Sequence, residues 1–237
     1  MDASYTRSSS KDDALAYPTP TNPAQYYAPS IFDVPNRVSV SGNYTLKGLN
    51  DGKGAVGYLT GGWGLSGTLI YQSGYPLTAS NFNSYIPVCQ NTSPGAPACP
   101  SLANPAVGYA PGSGDYNADG NNLDYPDALT YSQSSDNNAW LKGAISKTNF
   151  AVPAFGQGGN EKPMQFRGPT YYSTNTNFYK DTPIGEHVNF QIRFEFFNLF
   201  NRANYANIDM NIPDGSFGAA TGSHEPRFWQ IGGRLSF

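Results

Sequence analysis

The chain has 237 residues, enough for one domain or two small ones, and carries a net charge of −3. Charged residues make up only 13% and no basic run occurs, which argues against nucleic acid as a partner. Aromatics at 14% are too frequent for a disordered chain, and no apolar stretch approaches the roughly 18 residues of a membrane helix.

Period-two alternation of apolar and polar residues marks the elements in chain order. A weak strand is expected around 2–9. In "RVSVSGNYTLK", Val38, Val40, Gly42, Tyr44 and Leu46 oppose Arg37, Ser39, Ser41, Asn43 and Thr45, predicting a strand over 36–47. In "WGLSGTLIYQ", Trp63, Leu65, Gly67, Leu69 and Tyr71 oppose Gly64, Ser66, Thr68 and Gln72, with Ile70 as the exception, within a strand over 60–73. "YSTNTNFYK" alternates across 172–180. "HVNFQIRFEFFNLF" sets Val188, Phe190, Ile192, Phe194 and Phe196 against His187, Asn189, Gln191, Arg193 and Glu195, predicting a strand over 187–199. "WQIGGRLSF" sets Trp229, Ile231, Gly233, Leu235 and Phe237 against Gln230, Gly232, Arg234 and Ser236, within a strand over 227–237.

The connections between these strands are 10–35, 48–59, 74–171, 181–186 and 200–226, alternately long and short. In an up-and-down meander, alternate connections lie at opposite ends, so the long loops gather at one end. Outer-membrane barrels have this asymmetry, with short periplasmic turns and longer extracellular loops. Trp63 to Tyr71 and Trp229 to Phe237 each span about 26 Å at about 3.3 Å per residue, close to the apolar band of such barrels once tilted. Both segments begin and end on an aromatic. The fold expected is therefore all-β: an antiparallel meander of about six strands, part of a larger transmembrane β-barrel, with a long extracellular loop over about 74–171. Phe237, closing an alternating strand, resembles the signal by which barrel assembly machinery recognises its clients.

The segments "ASYTRSSSKDDA", "FDVPNRVSVSGNYTL", "GGWGLSGTLIYQSGYPLT", "DYNADGNNLDYPD", "FRGPTYYSTNTNFYKDTPI", "IRFEFFNLFNRANY" and "EPRFWQIGGRLSF" run through nearly the whole chain. In that order they resemble the C-terminal barrel of TonB-dependent outer-membrane receptors, in particular the Oar-like group with a carboxypeptidase-regulatory-like N-terminal domain. The resemblance implies a protein of the outer membrane of a Gram-negative-type bacterium that binds an extracellular solute and imports it with energy delivered by TonB. It also implies a plug, a TonB box and a signal peptide, and "MDASYTRSSSKDDALA" has neither the basic nor the apolar region of a signal peptide. The chain is accordingly read as the C-terminal piece of such a receptor. Its implied partners are outer-membrane lipid, the assembly machinery through Phe237, the TonB complex through the N-terminal part, and an unidentified solute. The competing readings are a non-transporting outer-membrane or cell-surface β protein that binds or adheres through a calcium-stapled loop, and a soluble calcium-binding β-sandwich.

Several residues are candidate sites. In "DYNADGNNLDYPD", Asp115, Asn117, Asp119, Gly120 and Asn121 follow the opening of a calcium-binding loop, with Asp124 nearby. The bidentate Glu of an EF-hand is replaced by Pro126, so the loop is either a weak structural Ca2+ site or a turn folded by its own Asx side chains. Cys89 and Cys99 stand in a Pro-rich loop, with a spacing that suits a small disulfide in an oxidising compartment; two unrelated thiols are the alternative. His187 and His224 lack metal-ligating neighbours, and His187 is expected on the polar face. Asn189, Gln191, Arg193 and Glu195 are expected to point inward. Tyr85, Tyr109, Tyr116, Tyr125 and Tyr131 are available either for stacking on a solute or for packing. No nucleophile–base pair, phosphate loop or paired carboxylates stand out, so no enzyme is expected.

Overall fold

The structure, a computed structural model, describes residues 1–13, 27–48, 54–80, 125–151, 153, 159–212 and 214–237. Six strands form one antiparallel sheet: β1 Asp2–Arg7, β2 Asn36–Thr45, β3 Trp63–Gln72, β4 Tyr171–Ile184, β5 Val188–Phe197 and β6 Phe228–Ser236. Their order in the sheet is their order in the chain, so the expected meander is what forms. β1 and β6 each pair on one side only, and the sheet is not closed among the described residues.

Register decides which side chains share a face, because a slip of one residue moves every side chain to the other side. Tyr44 lies opposite Leu65, Leu65 opposite Phe178, Phe178 opposite Phe194, and Phe194 opposite Ile231. One face is therefore apolar across all these strands, and Trp63 stacks on Phe178 with ring centroids 4.7 Å apart. The same register places Asn43, Ser66, Asn177, Glu195 and Gln230 in one polar row on the opposite face.

The short-connection end differs from expectation in two places. Between β2 and β3 the chain forms a helix, α1, Gly54–Thr60, where alternation had placed a plain turn. Gly61 and Gly62, expected inside a strand, make the bend from α1 into β3. Gly62 has φ +74, and a Cβ there would strike the Asp181 carbonyl oxygen. Only glycine satisfies both demands. The β4–β5 connection shrinks to residues 185–187, because β4 runs on to Ile184. His187 lies exposed in that turn, so it is not on the polar face as predicted. Alternation carries no information about where pairing stops, and a short turn takes residues from either strand.

At the other end the long connections build short ribbons: 11–12 with 28–29, 76–77 with 166–167, 127–128 with 150–151, and 205–208 with 220–223. A hydrophobic core of Ala79, Trp140, Ala144, Ile145, Phe166, Met210 and Phe217 holds this cap together. Every buried apolar side chain among the described residues lies outside the six long strands. Leu65, Trp229, Ile231 and Leu235 on the apolar face of the sheet are exposed instead. A soluble sandwich would bury these residues beneath a second sheet. Here no such layer covers them among the described residues.

Candidate functional site

The polar face is a network of amides, hydroxyls and a few charges. Asp181 Oδ1 accepts from Gln191 Nε2 at 2.9 Å and from Asn189 Nδ2 at 3.3 Å. Arg193 stands 3.6 Å from Glu195, whose other carboxyl oxygen accepts from the Gln230 amide. Asn177 donates to Ser66 Oγ at 3.4 Å. Asn177 Oδ1 and Arg193 Nε find no partner among the described residues, so this face still offers one acceptor and one donor. A hollow of about 390 Å³ opens over it, lined by Asp2, Ser41, Asn43, Ser66, Asn175 and Glu195 among others. The four residues expected to point inward, Asn189, Gln191, Arg193 and Glu195, share this face. Such groups can hydrogen-bond water or a polar solute.

The apolar face is a slanted band. The row through Trp229 runs by Phe196 and Thr176 to Gly67, four residues short of Tyr71. The row through Trp63 runs by Lys180 and Ile192 to Gly233, four residues short of Phe237. The aromatic ends of β3 and β6 are thus offset by the same amount at top and bottom.

Side-chain amides finish the ladder where the long strands end. Asn204 accepts from Tyr172 N at 2.9 Å and donates to Tyr172 O at 2.8 Å, as a neighbouring strand would. Gln133 brackets Arg167 in the same way, at 2.9 Å on both bonds. Asn198, at φ 49, donates to Arg202 O and accepts from Arg202 N. Arg167 in turn pairs with buried Asp33 at 2.5 Å. Burial alone would raise the Asp33 pKa, but the Ser10 N–H, Arg167 and Lys11 outweigh it and hold the carboxyl below its usual range. Sequence reasoning missed these residues. The signal was present as Asn198, Asn201, Asn204 and Asn207 recurring every three residues, three of them at positive φ, a conformation that Asn tolerates.

A profile described as an outer membrane beta barrel domain matches residues 1–230. The chain belongs to this family. No curated protein matches the chain, and no solved structure does.

Membership of the outer membrane beta barrel family gives the two faces their solvents. The apolar band meets lipid and the polar face meets the lumen. The 185–187 turn marks the periplasmic end, and the ribbons form an extracellular cap. An offset of four residues, at about 3.3 Å each, across three strand spacings of about 4.8 Å gives a tilt of about 40°. That lies inside the range of roughly 35–45° for strands of outer-membrane barrels.

The residues predicted for calcium (Asp115, Asn117, Asp119, Asn121, Asp124) and for the disulfide (Cys89, Cys99) lie outside the described residues, as do Tyr85, Tyr109 and Tyr116. Among the described residues no group of three or more His, Cys, Asp or Glu side chains is placed to hold a metal. His224 and His187 are not brought together: the His224 ring packs edge-on against Tyr171 at 5.0 Å. Tyr131 is committed to packing, its ring 5.5 Å from Phe166 and its hydroxyl accepting from Lys162 N at 2.8 Å.

Glu161, in the barrel's cap, carries a second buried carboxyl, 2% exposed. One oxygen accepts from Ala79 N at 3.0 Å, and Oε2 has no partner among the described residues. Burial pushes its pKa up to about 8, against the pull of the Ala79 N–H. A raised carboxyl pKa means that the folded cap holds a proton which the unfolded chain releases at about 4.5. The stability this proton contributes is complete below pH 4.5 and is lost as pH rises through about 8. Limited proteolysis of residues 125–167 at pH 6 and pH 9 is expected to show faster nicking at the higher pH, and Glu161→Gln to abolish the difference. An equal pH response in both proteins would refute this.

Proposed function

We propose that the chain forms part of the wall of a TonB-dependent outer-membrane receptor that binds an extracellular solute and imports it. The observation that carries this reading is the polar face of the unclosed sheet. Arg193, Glu195, Asp181 and their amide partners suit a wide, water-filled or plugged lumen, and closing six strands alone would leave no room for one. Open sheet edges are not tolerated in lipid, so further strands must pair with β1 and β6. The resemblance of the chain's segments to the Oar-like receptors supports the same reading. Its role is transport rather than catalysis. The barrel assembly machinery would engage Phe237, and the TonB complex would act through a plug-bearing part. Calcium on Asp115, Asn117, Asp119, Asn121 and Asp124 belongs to this proposal as a staple of the long loop.

The reading is tested by sequencing the DNA upstream of the Met1 codon. The frame is expected to stay open into further alternating strands, a plug and a TonB box. An in-frame stop just upstream would remove the transport role. The second reading, a non-transporting barrel that adheres or binds through its outer surface, draws support from the cap's own hydrophobic core. It would be favoured if the open frame held strands but no plug.

A further inference from the structure

The periplasmic end of the wall carries a feature that neither the lumen nor the cap uses. Helix α1 is joined to β3 through a tight bend at Gly61 and Gly62. A Cβ at Gly61 would meet the Gly57 carbonyl oxygen, and one at Gly48 would meet Gly61. Thus the backbone packs closely within this connection, at the C-terminal end of α1. The helix is tied down further by Tyr58 Oη donating to Pro183 O at 3.3 Å and Trp63 Nε1 donating to Leu59 O at 3.1 Å. Held this way, α1 turns its largest apolar side chains outward: Val56 is 54% exposed and Leu59 67%.

Lys180 is the charged residue of β4 on the lipid-facing side, in the row of Trp63 and Ile192. Its ammonium donates to Tyr58 O at 3.0 Å and Gly61 O at 2.7 Å, carbonyls at the C-terminal end of α1. It sits 5.2 Å from the Trp63 ring centroid and 5.9 Å from that of Tyr58. An ammonium has three N–H donors. Two are used here, and the third meets no protein acceptor among the described residues. A cation at the edge of an apolar band, flanked by two rings and an exposed aliphatic shelf, matches a ligand with an anionic oxygen above and hydrocarbon below. The shelf is continuous with the lipid-facing wall through Trp63 and Leu65 on β3.

We propose that Lys180, Trp63 and the outer side of α1 form a binding site for one phospholipid of the periplasmic leaflet. The lipid phosphate accepts the third Lys180 N–H, and its acyl chains lie along Val56, Leu59 and Leu65. The site fixes α1 at the membrane surface and sets the depth at which this side of the wall sits.

The test uses the full-length protein taken from outer membranes, so that only assembled molecules are examined. Native mass spectrometry with phosphatidylglycerol, and with diacylglycerol carrying the same chains, is expected to show phosphatidylglycerol held about tenfold better. Lys180→Gln is expected to lose that preference and Lys180→Arg to keep it. A photoreactive benzoylphenylalanine in place of Leu59 is expected to yield phospholipid adducts on irradiation in intact outer membranes. The proposal is overturned if Lys180→Gln holds phosphatidylglycerol as well as the parent does. Equal retention of diacylglycerol by the parent overturns it too, as does capture of a protein by the position-59 probe.

Discussion

Phe166→Ala is expected to loosen the extracellular cap by about 3–5 kcal/mol while leaving the barrel strands intact. Phe166 is 0% exposed. Its ring lies 5.5 Å from Tyr131 and 5.8 Å from Phe150, and Phe150 meets Phe217 edge-on at 5.7 Å. The residue also pairs with Leu77 in the ribbon that prolongs β3 and β4. Truncation opens a cavity at the junction of three loop segments, which among the described residues share this one core. Hydrogen exchange reads the result. Amides of 76–80, 137–151 and 217–220 should exchange at least a hundredfold faster, and those of β4 and β5 at the parent rate. Unchanged protection in the cap would show that the ribbons, and not this cluster, hold it.

The second large effect separates the two faces of one strand. Ile192 lies midway between Val188 and Phe196 on β5, inside the slanted lipid-facing band. Ile192→Arg places a guanidinium inside the lipid-facing band and beside the Lys180 ammonium. The expected loss in folding free energy is about 2–4 kcal/mol. Gln191→Arg, one residue away, points the same group into the lumen beside Asp181, whose Oδ1 already accepts from Gln191. That change is expected to stay within about 0.5 kcal/mol. Urea titration of the protein refolded into lipid vesicles compares the two. Equal losses would mean that the faces are assigned wrongly, and with them the lumen.

Alternation made the six strands legible because each strand separates two different solvents, and side chains with a period of two must sort between them. Loop parity made the two ends legible for a related reason, since a meander sends every second connection to the same side. The helix α1 was not legible: "GAVGYLT" is too short and too glycine-rich for helical periodicity to stand out. The cap core was hidden as well. Trp140, Ile145, Phe166 and Phe217 come from separate loop segments with no shared period. Glu161 had no signal at all, because its burial follows from tertiary packing around Ala79 and Pro126. Of the polar face, Asn189, Gln191, Arg193 and Glu195 were visible by parity. Their partners Asp181 and Gln230 emerged only from the register between strands.

Asn204 and Gln133 have a practical consequence for anyone rebuilding this surface. Each closes both hydrogen-bonding groups of one residue near the end of its strand, Tyr172 or Arg167, with a single side chain. The rim is thereby sewn shut locally by side chains that stand beside it. A foreign epitope or sensor peptide spliced in between such stitches is expected to leave the stave pattern underneath aligned as long as the two amides are retained.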